Sequence, residues 1–321
     1  MPNQAHLVLG FPSPVADVYL RQSHALGHSL ITVAPAGTSK LLPKGVELVV
    51  GEPTSIDFGL SGEDYKLLLG RVGQLSIAEQ STRSIADVEQ SRSVRMAAEA
   101  CEFVRAGGAP QGVRLLSSLL VFGDAQGAVS EEDFFVGQKF AVREEEALAV
   151  AEKLVREVAH LRPVAVVRCA PLVGDEETST LYDDSSFSRL ARQIQTAPED
   201  LACSFSDLPV RIETVQRAAR ALLMAQPAPL ARTYHLVDAE PLTDRALMLW
   251  LAERAQRRIS EAPGAASVWS NWLAQSAGDS RVVRGWGLRF ARANAERDLR
   301  PLLDRDQLLV LSSLFRPGEA S

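Results

Sequence analysis

Short runs of β-branched residues and leucine alternate, along the first three quarters of the chain, with longer stretches whose apolar positions recur every three or four residues. The runs His6–Leu9, Leu30–Ala34, Val46–Val50, Val72–Ile77, Val113–Leu116, Val164–Arg168 and Thr233–Val237 read as strands. The stretches Val15–Ala25, Val88–Ala106, Arg143–Val158 and Val215–Ala225 gather Leu, Val and Ala on one helical face and read as helices. Hydrophobicity in the strand runs is nearly continuous rather than alternating, as a strand covered on both faces requires. Such strands separated by helices predict an α/β fold, a Rossmann-like doubly wound parallel sheet. After about residue 243 the pattern turns helical throughout, over Ala246–Arg258, Val268–Gln275 and Arg297–Phe315, with Pro/Gly/Ser segments between. The expected organisation is a Rossmann-like domain over 1–243, with 175–210 contributing to a second lobe, and a small, mainly helical C-terminal subdomain over 244–321.

Composition narrows the function classes. The 321 residues are 46% hydrophobic and 23% charged, which supplies a core and excludes a disordered chain. Lys+Arg 34 against Asp+Glu 40 leaves a net charge of −6 without any basic run, so nucleic acid is not an expected partner. The start, Met1-Pro-Asn-Gln-Ala-His6, lacks a basic leader, and no apolar run approaches the roughly 18 residues of a membrane span, so a cytoplasmic protein without membrane insertion is expected. Cys101, Cys169 and Cys203 are odd in number and widely spaced, and predict buried thiols rather than disulfides or a metal site.

Several segments carry a more specific signal. They are His6-Leu-Val-Leu-Gly10; Val46-Glu-Leu-Val-Val-Gly51-Glu52; Phe58-Gly-Leu-Ser-Gly-Glu-Asp64-Tyr65; Leu116-Ser117-Ser118-Leu-Leu-Val-Phe-Gly123-Asp124; Ala151-Glu-Lys-Leu-Val-Arg156; Arg168-Cys-Ala-Pro-Leu-Val-Gly174-Asp175; and Arg232-Thr-Tyr-His-Leu236. In this order and at these separations they resemble an extended short-chain dehydrogenase/reductase of the NAD-dependent epimerase/dehydratase superfamily, closest to its thioester-reductase-like branch, over residues 4–258. The resemblance implies an NAD(P) cofactor on a glycine-rich turn, an acidic or basic ribose contact, and a Ser, Tyr and Lys at the reacting carbon.

Against that template the chain departs at each chemical element. The turn that resembles G-x-x-G-x-x-G is Gly10-Phe-Pro-Ser13-Pro-Val-Ala16. Ala16 suits helix–strand packing, but Ser13 adds a side chain where the pyrophosphate approaches, and Pro12 and Pro14 each delete an N–H donor. Ser13 as N-cap and Pro14 at the first helical position make a good helix start without any ligand. The segment Thr32–Lys40 carries no ribose-binding acid, its Lys40 is expected in solvent, and the acid after the third strand is Glu52, followed by Pro53. Registering Ala151–Arg156 puts Glu144 at the family's Tyr position and Leu148 at its Lys position. A carboxylate there has the wrong sign to favour a developing alkoxide. The run Glu144–Glu146 is expected on a solvated face near a helix N-terminus. Ser118, five residues before Gly123, is retained, and a hydroxyl at a strand end can serve local backbone equally well.

The remaining candidates are weaker. His24 and His28 have helical metal-ligand spacing without a third ligand. The acids Asp175-Glu-Glu177 and Asp183-Asp184, beside Tyr182, are expected in solvent. His235 is expected to satisfy a backbone carbonyl, and Trp250, Trp269, Trp272 and Trp286 to pack the C-terminal part. The functional expectation is a pseudoenzyme of this fold that needs no cofactor and serves binding, scaffolding or regulation, with an unidentified protein or small apolar ligand as partner. The alternatives are an atypical NAD(P)-dependent oxidoreductase, or a non-redox lyase or isomerase using Ser118 and Glu144.

Overall fold

A computed structural model describes residues 4–79, 85–125, 129–140, 143–175, 212–237 and 242–261, with short pieces between 177 and 210. The chain divides into two units, 1–121 with 143–169 and 215–236, and 122–142 with 170–214 and 237–321. The second unit thus draws on two internal stretches as well as the C-terminal part.

The first unit is built on a seven-stranded, all-parallel sheet. Its strands are β1 (Ala5–Leu9), β2 (Leu30–Ala34), β3 (Val46–Val50), β4 (Val72–Ile77), β5 (Gly112–Ser118), β6 (Val164–Cys169) and Arg232–Leu236. From one edge they lie in the order Arg232–Leu236, β6, β5, β4, β1, β2, β3. The chain therefore winds one way from β1 to β3 and the other way from β4 onward. This leaves a crevice over the carboxyl ends of β1 and β4, where ligands of such sheets bind. All seven strands legible in the sequence are present, and β1 and β4 are buried along almost their whole length.

The helices are α1 (Pro14–Ala25), α2 (Gly62–Arg71), α3 (Arg92–Arg105), α4 (Arg143–Glu157) and Val215–Met224. Helix α3 starts four residues later than its apolar pattern suggests, because Asp87 accepts a hydrogen bond from the Glu89 N–H at 3.0 Å and holds that segment in a turn. Helix α2 is absent from the helices that periodicity predicts, although its start carries a signal: Ser61 accepts from the Asp64 N–H at 3.1 Å and donates to the Asp64 carboxylate at 2.7 Å. Before it, Asp57, Phe58 and Gly59 have φ of 53°, 57° and 67°. This left-handed turn drives Phe58 fully into the core, where its ring lies 6.1 Å from Tyr65 and 5.5 Å from Phe103.

In the second unit, Leu172–Asp175 pairs in parallel with Glu213–Thr214 and antiparallel with Thr180–Leu181, and Pro209–Val210 pairs with Leu242–Thr243. The helix Asp244–Arg254 is capped by Thr243, which accepts from the Ala246 N–H at 3.1 Å. The all-helical expectation after residue 243 is corrected here. The helix ends at Arg254, Gln256 turns left-handed at φ 55°, and Arg258–Glu261 forms a strand parallel to Asp200–Cys203. Four residues are too few to display a period of their own, so the helical pattern runs on through Arg258 in the sequence. The expected helices Val268–Gln275 and Arg297–Phe315, with Trp269, Trp272 and Trp286, lie outside the described residues. Among the described residues no helix is long and apolar enough to cross a membrane.

Candidate functional site

The crevice begins at the turn after β1. Gly10 has φ 114°, and a Cβ on it would meet the Ala78 carbonyl oxygen at 2.9 Å, so only glycine lets the turn seat against the end of β4. Phe11 is buried, and the Ser13 N–H bonds back to the Gly10 carbonyl at 2.8 Å. The Ser13 hydroxyl accepts from the Ala16 N–H at 3.3 Å and donates to the Ala78 carbonyl at 3.0 Å. Ala16 is fully buried against the sheet. A pyrophosphate at a helix start needs free N–H groups and bare backbone. Here Pro12 and Pro14 have no N–H, those of Ser13 and Ala16 are bonded within the protein, and the Ser13 side chain stands at the approach. The Ser13 side chain and these internal bonds take up much of the start of α1.

The carboxyl ends of β3 and β4 are bridged by Arg92, from the first turn of α3. Its Nε donates to both carboxylate oxygens of Glu79, at 3.1 and 3.0 Å, and its Nη1 to Glu52 at 3.2 Å. Glu52 also accepts from the Thr54 N–H and hydroxyl at 3.3 and 2.9 Å. Partial burial opposes the charge of Glu52, but Thr54 and Arg92 outweigh it and hold the carboxyl below its ordinary value. Glu52 is thus committed to an internal ion pair. Glu52 is legible in the sequence; Arg92 and Glu79 are not, because the three meet across 40 and 13 residues of chain with no local spacing to mark them. Lys40 is exposed in the helical turn Ala36–Leu41.

On α4, Glu144 accepts from the Ile85 N–H at 3.0 Å, so its carboxylate serves backbone. Its neighbour Glu145 is fully buried, which corrects the expectation of a solvated Glu144–Glu146 face. Leu148 is 4% exposed and lines a water-sized cavity with Ile77, Met96 and Leu115. Ser118 is fully buried, accepts from the Leu120 N–H at 3.2 Å and donates to the Cys169 carbonyl at 3.4 Å. Its hydroxyl stabilises the end of β5.

Below these positions lies a buried ionic cluster. Arg168 on β6 donates to Glu152 on α4 through Nη2 at 2.7 Å and Nε at 3.1 Å, and both side chains are fully buried. Ser117 donates to Glu152 at 2.6 Å, and Arg156 links Glu152, at 2.8 Å, to the Thr233 hydroxyl, at 2.5 Å. Burial alone would raise the Glu152 pKa, but Arg168 and Arg156 reverse this and hold it at about 2. The matched segments Ala151–Arg156 and Arg168 therefore tie α4 to the sheet. His235 joins this cluster: its Nε2 stands 3.3 Å from Nη1 of Arg168. Since a guanidinium only donates, Nε2 accepts and the ring proton belongs on Nδ1.

Other candidates do not converge. Helix α1 ends at Ala25, so His28 lies beyond it and shares no face with His24; its Nδ1 is 2.8 Å from the Ser23 hydroxyl. Among the described residues no group of His, Cys, Asp or Glu could hold a metal ion. Cys101 and Cys169 are buried free thiols. Asp175 is buried, which corrects its expected solvation, while Tyr182, Asp183 and Asp184 lie outside the described residues.

No protein-family model and no curated protein matches the sequence. Solved structures do match the fold. The terminal R domain from the myxalamid PKS-NRPS biosynthetic pathway is 15% identical with TM-score 0.75, covering 97% of this chain and 89% of that one. The thiolation-reductase di-domain from an archaeal non-ribosomal peptide synthetase is 12% identical with TM-score 0.67, covering 81% and 78%. UDP-N-acetylglucosamine 4-epimerase from Bacillus cereus is 11% identical with TM-score 0.63, covering 97% and 95%. The chain has the fold of the extended short-chain dehydrogenase/reductases, in agreement with the resemblance in its sequence.

Proposed function

We propose that this chain, an extended short-chain dehydrogenase/reductase by fold, is a non-redox member that acts through binding, as a scaffold or regulatory protein. The observation that carries the reading is the Ser13 hydroxyl, which caps α1 and bonds to Ala78 at the place a pyrophosphate would take. Three further features support it. Arg92 closes on Glu52 and Glu79 across the ribose side, Glu144 is spent on the Ile85 N–H, and Leu148 offers no ammonium to lower a phenol pKa. The solved relatives named as reductases and epimerases are similar in fold, and fold alone does not carry activity.

The test is direct titration of the full chain with NADH and NADPH, by calorimetry and by nicotinamide fluorescence. Affinity weaker than about 100 μM for both is expected, roughly −5.5 kcal/mol or weaker. Binding tighter than about 10 μM would reinstate the oxidoreductase reading.

A further inference from the structure

The geometry points to an interaction surface at the β3 edge of the sheet: two copies of this chain pair there through antiparallel β3 strands, about a two-fold axis at Leu48. β3 is the outermost strand on its side, and its register with β2 runs unbroken over all five residues. The Gly51 N–H bonds to the Ala34 carbonyl at the end of β2, at 3.1 Å. Backbone groups along a strand point alternately to its two sides, so Glu47, Val49 and Gly51 face β2 while Leu48 and Val50 turn their N–H and C=O groups outward. No described residue bonds to those outward groups. At the opposite edge of the sheet the strand Arg232–Leu236 is buried at four of its five positions, whereas β3 is buried only at Val46.

An open edge is a template for another strand, and proteins that keep such an edge single place Lys, Pro or a bulge on it. The strand Val46-Glu-Leu-Val-Val50 has none of these. It is complementary to itself. With Leu48 on the axis, Val46 stands opposite the partner's Val50 and Leu48 opposite the partner's Leu48, apolar pairs on one face. On the other face Glu47 stands opposite the partner's Val49. Charge is met as well: Arg71 of α2 holds Glu47 in a two-point ion pair, one bond at 2.9 Å, so the two carboxylates, diagonal across the axis, each arrive with a counter-ion. The outward groups then close four backbone bonds, two between the paired Leu48 residues and one from each Val50 N–H to the partner's Val46 carbonyl. The pairing also covers Val50, which is 58% exposed. A contact of this length buries less than about 1,200 Å², which makes the dimer reversible, with a Kd on the order of 10 μM.

Sedimentation velocity of the full chain from about 1 to about 200 μM, with amide hydrogen exchange at both ends of that range, tests the pairing. The mass should rise with concentration from one chain to two, and the peptide spanning Val46–Val50 should exchange at least about tenfold more slowly in the dimer. Val50→Pro removes an N–H that bonds to nothing within the protomer, so it should keep the parent's Tm and stay monomeric throughout. Val50→Lys keeps the N–H but sets an ammonium beside the partner's Val46, and should weaken the dimer at least about tenfold; it decides the matter should the proline variant fail to fold. A parent chain that stays monomeric at about 200 μM overturns the proposal. So does a dimer whose β3 amides are unprotected, or one that the folded Val50 variants leave as tight as before.

Discussion

The hydroxyl of Ser13 donates to the carbonyl of Ala78 at 3.0 Å while accepting from the first turn of α1, so one side chain ties the start of α1 to the end of β4 at the topological switch point of the sheet. On the proposed reading, removing that tie should alter nucleotide binding before it alters the fold. Ser13→Gly alone keeps an acceptable N-cap, and with the lost bond to Ala78 should cost about 1 kcal/mol. The triple change Pro12→Thr, Ser13→Gly, Pro14→Phe restores two N–H donors and bare backbone. NADH affinity measured by fluorescence should rise at least about tenfold over the parent protein. Unchanged affinity in a folded triple variant would mean that the turn is not what excludes the dinucleotide.

The ionic cluster under α4 makes a sharper demand on stability. Glu152→Ala leaves the guanidinium of Arg168 buried without its carboxylate, a loss of about 3–5 kcal/mol. Glu152→Leu with Arg168→Met should recover most of it, because an apolar pair avoids the desolvation penalty altogether. Urea denaturation of single and double variants tests this, and a double variant no better than the worse single one contradicts it.

Two windows of pH follow from groups whose folded pKa is depressed. Burial first, then Arg114 and His28, lower the His6 pKa from 6.5 to about 3, and its Nε2 lies 2.8 Å from the Ser76 hydroxyl. The unfolded chain binds the His6 proton first, so this stability is complete above about pH 6.5 and is lost as pH falls toward 3. Glu152 contributes above its ordinary 4.5 and is lost as pH falls toward about 2. Between about pH 6.5 and 4.5, stability should drop by up to about 1.4 kcal/mol per pH unit. In His6→Gln that slope should flatten, while the fall below about pH 4.5 persists. Retention of the full slope in His6→Gln would assign it to another group.

The sheet is legible in the sequence because each strand is a short apolar run and each major helix a longer periodic one, so topology follows from alternation. The turn at Gly10–Ala16 and the positions of Glu144 and Leu148 are legible for a different reason: they are read by position within segments that resemble the family. The bridge from Arg92 to Glu79 and Glu52 and the burial of Glu145 are not, since long-range pairing and side-chain burial leave no mark on local spacing. The strand Arg258–Glu261 merges in the sequence with a neighbouring helix because its partner, Asp200–Cys203, is distant along the chain.

Ser118→Ala should change little. Among the described residues the hydroxyl bonds the Leu120 N–H and, on the neighbouring strand β6, the Cys169 carbonyl, so its loss should cost about 1 kcal/mol, read by thermal denaturation. A loss of any measurable catalytic activity in a variant that keeps its Tm would make the hydroxyl catalytic and support the lyase or isomerase alternative.

Placing the family's catalytic pair at the positions the resemblance assigns to it, Glu144→Tyr with Leu148→Lys, tests the proposed non-redox reading. The two positions are four apart on α4 and share a face, so the local spacing would be right. The surroundings would not. The change at Glu144 removes the acceptor of the Ile85 N–H, and the change at Leu148 carries an ammonium into an apolar wall where the native side chain is 4% exposed. Both effects destabilise, together by about 2–4 kcal/mol. The dinucleotide would still face Ser13 and the two prolines, so no hydride donor would be held at the roughly 3–3.5 Å that transfer requires. NADPH oxidation against a panel of aldehydes and ketones should therefore stay at background in the double variant. Activity there, with the turn untouched, would show that the turn accepts the cofactor and would refute the non-redox reading at its main support.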